Sequence, residues 1–62
     1  MYDAYTKPYF EKWKNDVIVV MRNHSWTDDA ILSIDWYIMK EFYYDNDIPP
    51  REAVTEEEKL AV

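Results

Sequence analysis

The chain contains no cysteine and no glycine among its 62 residues. Without cysteine it can form neither a disulfide nor a Cys-ligated zinc or iron–sulfur site, and it has no cysteine nucleophile. Phosphate-binding loops and tight hairpin turns depend on glycine, so the sequence disfavours both, and with them a multi-stranded β fold. These absences leave helices as the expected secondary structure and hydrophobic burial as the source of stability.

Basic residues are also scarce: seven Lys and Arg stand against thirteen Asp and Glu, a net charge of −6. A charge of this sign disfavours direct binding to nucleic acid or to an anionic membrane. The longest apolar run, residues 17–21, is far shorter than the ~20 residues of a membrane span, and no secretory signal pattern is present. The sequence therefore predicts a cytoplasmic protein with a single small domain, residues 1–62.

The first periodic segment predicts an amphipathic helix over about residues 7–23. It begins at Thr6-Lys7-Pro8, where Thr and Pro are residue types typical of a helix start. A strand is the alternative over the β-branched run at residues 17–21, but charged residues fall off the apolar stripe, which favours the helix. The stripe, at helical spacing, consists of Phe10, Trp13, Val17, Val20, Met21 and His24.

The second periodic segment predicts a helix over about residues 27–44, after cap signals at Ser25 and Thr27 and before Pro49-Pro50. Its apolar residues cover nearly half the circumference, which is more than one partner helix needs. The expected fold is all-α: a small antiparallel hairpin of these two helices. Residues 49–62 are expected to form only a short helical turn or a flexible acidic tail.

Asp35 lies inside the apolar arc of the second helix on this interpretation. Because an unpaired buried carboxylate loses its solvation, we expect Asp35 to accept hydrogen bonds across the hairpin or to lie in an interface that receives a basic partner. The remaining alternative is a helix of different phase. The surplus apolar arc also predicts self-association, with Trp36 or Met39 in the contact.

The opposite face of the second helix supplies the predicted partner-binding residues. They are two tyrosines seven residues apart and the acidic side chains around them, of which the last two lie just beyond the helix: Asp29, Tyr37, Glu41, Tyr44, Asp45 and Asp47. Aromatic anchors with surrounding negative charge suit a basic protein surface, and such carboxylates could also mimic nucleic-acid phosphates. The alternative is that the acidity only keeps the protein soluble.

The sequence offers no catalytic or metal site. His24, the single histidine, has only the adjacent Ser25 as a nucleophile, and adjacent residues on a helix point apart. It is more typical of a histidine at the core edge or in a cap. Residues 45–47 lack the glycine and the distal glutamate of a calcium loop. We therefore expect no enzyme, no metal ion and no cofactor.

The chain carries no family motif. Its small size, acidity and aromatic content resemble, in composition alone, phage and mobile-element proteins that inhibit host enzymes or defence complexes. We expect a non-enzymatic acidic module that docks on a basic surface of a larger protein and inhibits it, by occlusion if that surface normally binds nucleic acid. The alternative is a structural or assembly subunit that forms a homodimeric helical bundle.

Overall fold

A computed structural model describes residues 6–60 of the chain. These residues form helices and turns and contain no β-strand, which confirms the all-α class. The helices are α1, Phe10–Asn23; α2, Asp28–Leu32; α3, Trp36–Met39; and α4, Pro50–Leu60. A π-helical turn, Lys40–Tyr44, continues α3.

Helix α1 forms where the apolar spacing predicted it, although it begins later than expected. Its N-cap is Tyr9, which makes no side-chain cap bond, so the predicted start at Thr6 is wrong. Trp13, Val17 and Met21, four residues apart, are each 0% exposed and form the centre of the core. The valine-rich run remains helical because its core-facing member, Val17, is held by this packing.

The predicted continuous helix over residues 27–44 is wrong, because the backbone leaves the helical path after Leu32. Thr27 does cap α2 as expected, by accepting a hydrogen bond from the N–H of Ala30 at 3.1 Å. The hydroxyl of Ser33 then donates to the carbonyl of Asp29 at 2.7 Å. Such local side-chain bonds compete with helix propagation. The second arm of the predicted hairpin is therefore divided into α2 and α3.

The expectation of a short turn or an acidic tail after residue 49 is also wrong. Pro50 occupies the first position of α4, where its missing N–H costs no hydrogen bond. Ala53 and Val54 are completely buried, and the most extensive packing between helices is that of α1 against α4. Burial of these two side chains stabilises a helix too short to persist alone in water.

Polar contacts also hold α4 and the chain before it against the rest of the molecule. The indole N–H of Trp13 donates to the carbonyl of Ile48 at 2.9 Å. Oε2 of Glu58, on α4, accepts from the indole of Trp26 at 2.9 Å and lies 3.0 Å from Nδ1 of His24. These bonds, that of Trp26 first, lower the pKa of Glu58 below its usual value. His24 thus lies at the surface as a partner of Glu58.

Two turns use left-handed backbone without glycine. Ser25, between α1 and α2, has φ 69°, and Asp47, before α4, has φ 61°. Asp enters this region more readily than most residues because its short side chain can bond locally, whereas a β-carbon generally makes it unfavourable. The absence of glycine is therefore met at these turns by short polar residues.

Candidate binding surface

An open groove of about 380 Å³ lies where α2, α3 and α4 meet. Four apolar residues, one hydroxyl and two carboxylates line it: Ala30, Ile34, Ile38, Met39, Ser33, Asp35 and Glu57. This volume is at the lower end of the roughly 300–1,000 Å³ of ligand sites. The mixed apolar and acidic lining is the feature that gives the groove chemical character.

Asp35 is exposed and caps α3, so its predicted place inside a continuous apolar arc is wrong. Its Oδ1 accepts from the backbone N–H groups of Tyr37 at 3.1 Å and Ile38 at 3.3 Å. It makes no bond across the molecule to a tryptophan, a tyrosine, His24 or Arg22 among the described residues. Asp35 instead lies in the break between α2 and α3, so the predicted bond across the hairpin is wrong, and a place in an interface that receives a basic partner stays a prediction. Both cap bonds go to Oδ1, and Oδ2 accepts no hydrogen bond from residues 6–60.

Glu57, the second carboxylate of the groove, is held by a buried tyrosine. Its Oε2 accepts from the Tyr43 hydroxyl at 2.7 Å. Burial, followed by this bond and the nearby acidic charge, raises the pKa of Tyr43 to about 12. Tyr43 therefore remains a neutral donor over the physiological range, and Oε1 of Glu57 accepts no bond from the described part of the chain. Glu57 is not among the predicted site residues, because the sequence predicted only a short helical turn or a flexible acidic tail over residues 49–62.

An apolar stripe adjoins the groove. It consists of Tyr37, Ile38 and Phe42, which are 69%, 46% and 64% exposed. Ile38 belongs to both the stripe and the groove lining. Scattered single hydrophobic residues are normal on protein surfaces, whereas groups of exposed apolar residues mark contact sites. These three large side chains lie within six residues of one another along one helical segment.

The six predicted partner-binding residues do not share one continuous helix face. The break at residues 33–35 separates Asp29 from the others, and the π-helical turn changes the phase again. Asp45 pairs with Lys40 at 3.1 Å, and Asp47 pairs with Lys7 at 3.2 Å. Asp29 and Glu41 are exposed without an ion pair to any of residues 6–60. Of the predicted residues, Asp29, Glu41 and Tyr37 are therefore exposed and make no ion pair within the described part of the chain, whereas partner binding by all six stays a prediction.

Tyr44 is half-buried and packs against aromatic side chains of the same chain. Its ring meets those of Phe10 and Trp13 edge to face, with centroids 5.3 and 5.7 Å apart. Its hydroxyl donates to the carbonyl of Pro8 at 2.5 Å, and Nζ of Lys7 lies 4.6 Å from its ring centroid. Tyr44 therefore fixes the segment that precedes α1.

The two residues predicted for self-association have different environments. Met39 is 2% exposed and belongs to the core, so its predicted place on a free apolar arc is wrong. Trp36 is half-buried, with Nζ of Lys14 at 5.4 Å from its ring centroid. A contact between copies through Trp36 stays a prediction.

Most cations of the chain already have partners within it. Five of the seven Lys and Arg form ion pairs with carboxylates: Lys7, Lys12, Arg22, Lys40 and Lys59. Lys14 lies over Trp36, which leaves Arg51 without such a contact among the described residues. By contrast, Asp29, Asp35 and Glu41 carry charge that no cation of residues 6–60 compensates by direct pairing. The segment from α2 to the π-helical turn therefore carries unpaired negative charge.

Residues 6–60 contain no group of three or more side chains that could hold a metal ion. None of the helices in this part of the chain is long and apolar enough to cross a membrane. No protein-family model matches the chain, and no curated protein or solved structure matches it significantly. Its function is therefore inferred from its own surface.

Proposed function

We propose that this protein is a non-enzymatic, acidic protein-binding module that docks on a basic surface of a larger protein through the groove and the apolar stripe. The observation that supports this most is the exposure of Tyr37, Ile38 and Phe42 beside the groove. The core is closed without these side chains, since Trp13 and Val54 are fully buried elsewhere. These three side chains are therefore available for an intermolecular contact.

The chemistry of the surface indicates the kind of partner. Aromatic side chains such as Tyr37 anchor protein interfaces because they bury a large area with few rotatable bonds. The exposed carboxylates of Asp29, Asp35 and Glu41 would attract a positively charged surface and raise the rate of encounter. If that surface normally binds nucleic acid, its occupation by this chain would inhibit the partner by occlusion. A cytosolic location is part of the same proposal.

The homodimeric bundle has less support. Met39 contributes to the core, and two copies of a chain with a net charge of −6 repel one another. Salt distinguishes the two functions, since docking between opposite charges weakens with ionic strength whereas apolar association between like-charged copies is unchanged or strengthened.

The test is capture of partners from a lysate of the cells in which the protein acts. Three immobilised forms are compared: the natural chain, a Tyr37→Ser/Phe42→Ser variant, and a Val19→Ser control that removes an exposed apolar residue from α1, outside the groove and stripe. We expect a protein that the natural chain and the control retain at low salt, and that the stripe variant or high salt releases. Equal capture by all three forms would contradict the proposal, as would capture of no protein.

A further inference from the structure

We infer that the groove binds an arginine side chain presented between apolar residues of the partner protein. This inference rests on the proposed function and adds to it the chemical identity of what enters the groove. The juxtaposition that carries it is two fixed carboxylates, Asp35 and Glu57, in one groove whose other lining is mainly apolar.

In each carboxylate, hydrogen bonds to one oxygen hold the group in place, and the other oxygen is free to accept from a ligand. Oδ1 of Asp35 is used in the two cap bonds of α3, and Oε2 of Glu57 is used by Tyr43. Oδ2 and Oε1 accept no hydrogen bond from residues 6–60. Because both side chains are already held, a cation that binds them does not need to order two flexible acids first. The acids come from different elements, the start of α3 and the middle of α4.

The apolar lining selects arginine over a small ion. Ile34 and Ile38 offer aliphatic surface to the methylene stem of a long cationic side chain. A guanidinium presents several N–H donors in a plane and can bond two carboxylates at once, whereas an ammonium acts as a point charge. A calcium ion needs about six to eight oxygen ligands, and two carboxylates supply too few.

A second copy of the chain is a poor source of that arginine. Arg22 pairs with Asp28 at 3.2 Å, which leaves Arg51 as the one arginine without an ion pair to any of residues 6–60. Each copy also carries a charge of −6. The complementary charge is therefore expected on a different, basic protein.

The probe is a short amphipathic peptide with one central arginine flanked by leucines at helical spacing. A matched peptide carries citrulline, which keeps the shape of arginine without its charge. Each peptide is titrated into the ¹⁵N-labelled full chain, and amide shifts are followed by NMR. Asp35→Asn and Glu57→Gln remove the charges while an asparagine can still cap α3 and a glutamine can still accept from Tyr43. The matched charge control is Glu11→Gln/Glu52→Gln, two exposed acids outside the groove.

We expect saturable shifts at groove residues such as Ala30 and Ile34 with the arginine peptide. The Asp35→Asn/Glu57→Gln variant should bind it about fivefold to tenfold more weakly, and the control about as tightly as the natural chain. Equal binding of the citrulline peptide, equal binding by the groove variant, or no saturable shift in the groove would overturn the inference.

Two further outcomes separate this inference from the proposed function. Shifts confined to Tyr37 and Phe42 would overturn arginine binding in the groove, yet leave docking through the apolar stripe intact. Groove shifts that depend on the concentration of the chain alone, without peptide, would show that a second copy is the occupant. Capture from the lysate uses stripe variants, so its failure is read independently of the peptide titration.

Discussion

Truncation of Val54 to alanine tests whether α4 is an integral part of the fold. Val54 is 0% exposed, so the substitution removes two buried methyl groups. At about 0.8 kcal/mol for each buried carbon, the lost transfer free energy is about 1.6 kcal/mol, and the cavity left behind raises the cost to about 2–3 kcal/mol. A chain of this size has a free energy of unfolding of roughly 3–9 kcal/mol. Val54→Ala should therefore remove about a fifth of the stability or more.

The assay is urea denaturation followed by circular dichroism, with thermal unfolding as a second measurement. A loss of 2–3 kcal/mol should lower Tm by roughly 10–20 °C in a domain of this length. Leu60→Ala is the control, because Leu60 lies on the same helix and is 75% exposed. It should change stability by less than about 0.5 kcal/mol. Equal, small effects of the two substitutions would refute the packing of α4 on α1.

Three other stability measurements follow from the polar contacts. Asp35→Ala should cost about 1 kcal/mol in urea unfolding through loss of the α3 cap, and Asp35→Asn much less; equal stability of both variants would contradict the cap. The pKa of Tyr43 is raised to about 12 from 10.0, so the contribution of its neutral hydroxyl to folding stability is complete below pH 10 and is lost as pH rises towards 12. Tyr43→Phe should make stability less dependent on pH between 10 and 12. The pKa of Glu58 is lowered from its ordinary value of 4.5, so ionised Glu58 stabilises the fold above pH 4.5, and this stabilisation is lost as pH falls through the lowered pKa. Glu58→Gln should weaken the loss of stability in acid. An unchanged loss of stability in acid would count against the Trp26–Glu58 bond.

The sequence predicted the elements whose apolar spacing and core packing agree. Helix α1 is the clearest case, because Trp13, Val17 and Met21 recur every fourth residue and all enter the core. The Thr27 cap was predicted from a local signal that tertiary structure does not alter. Tyr37 and Glu41 are exposed, as predicted. The single continuous helix face on which they were predicted to lie is wrong.

The elements that the sequence did not predict depend on a helix break and on tertiary packing, and hydrophobic periodicity indicates neither. No proline or glycine marks the break at residues 33–35, and the apolar pattern continues through it. Asp is a favourable N-cap residue, but Asp35 can act as a cap only because the backbone leaves the helix before it. Helix α4 has just two fully buried side chains, Ala53 and Val54, so its stability comes from packing on α1 and not from its own pattern. Glu57 and the groove exist only because α4 folds back.

The proposed function requires that the surface formed by the groove and the apolar stripe binds a basic protein. The most direct measurement is amide hydrogen exchange of the chain, alone and saturated with the partner obtained by capture. Binding should slow exchange over residues 30–42 and around Glu57, and leave the solvent side of α1 around Val19 unchanged. Protection centred on α1, or no protection at the groove and stripe, would contradict the account.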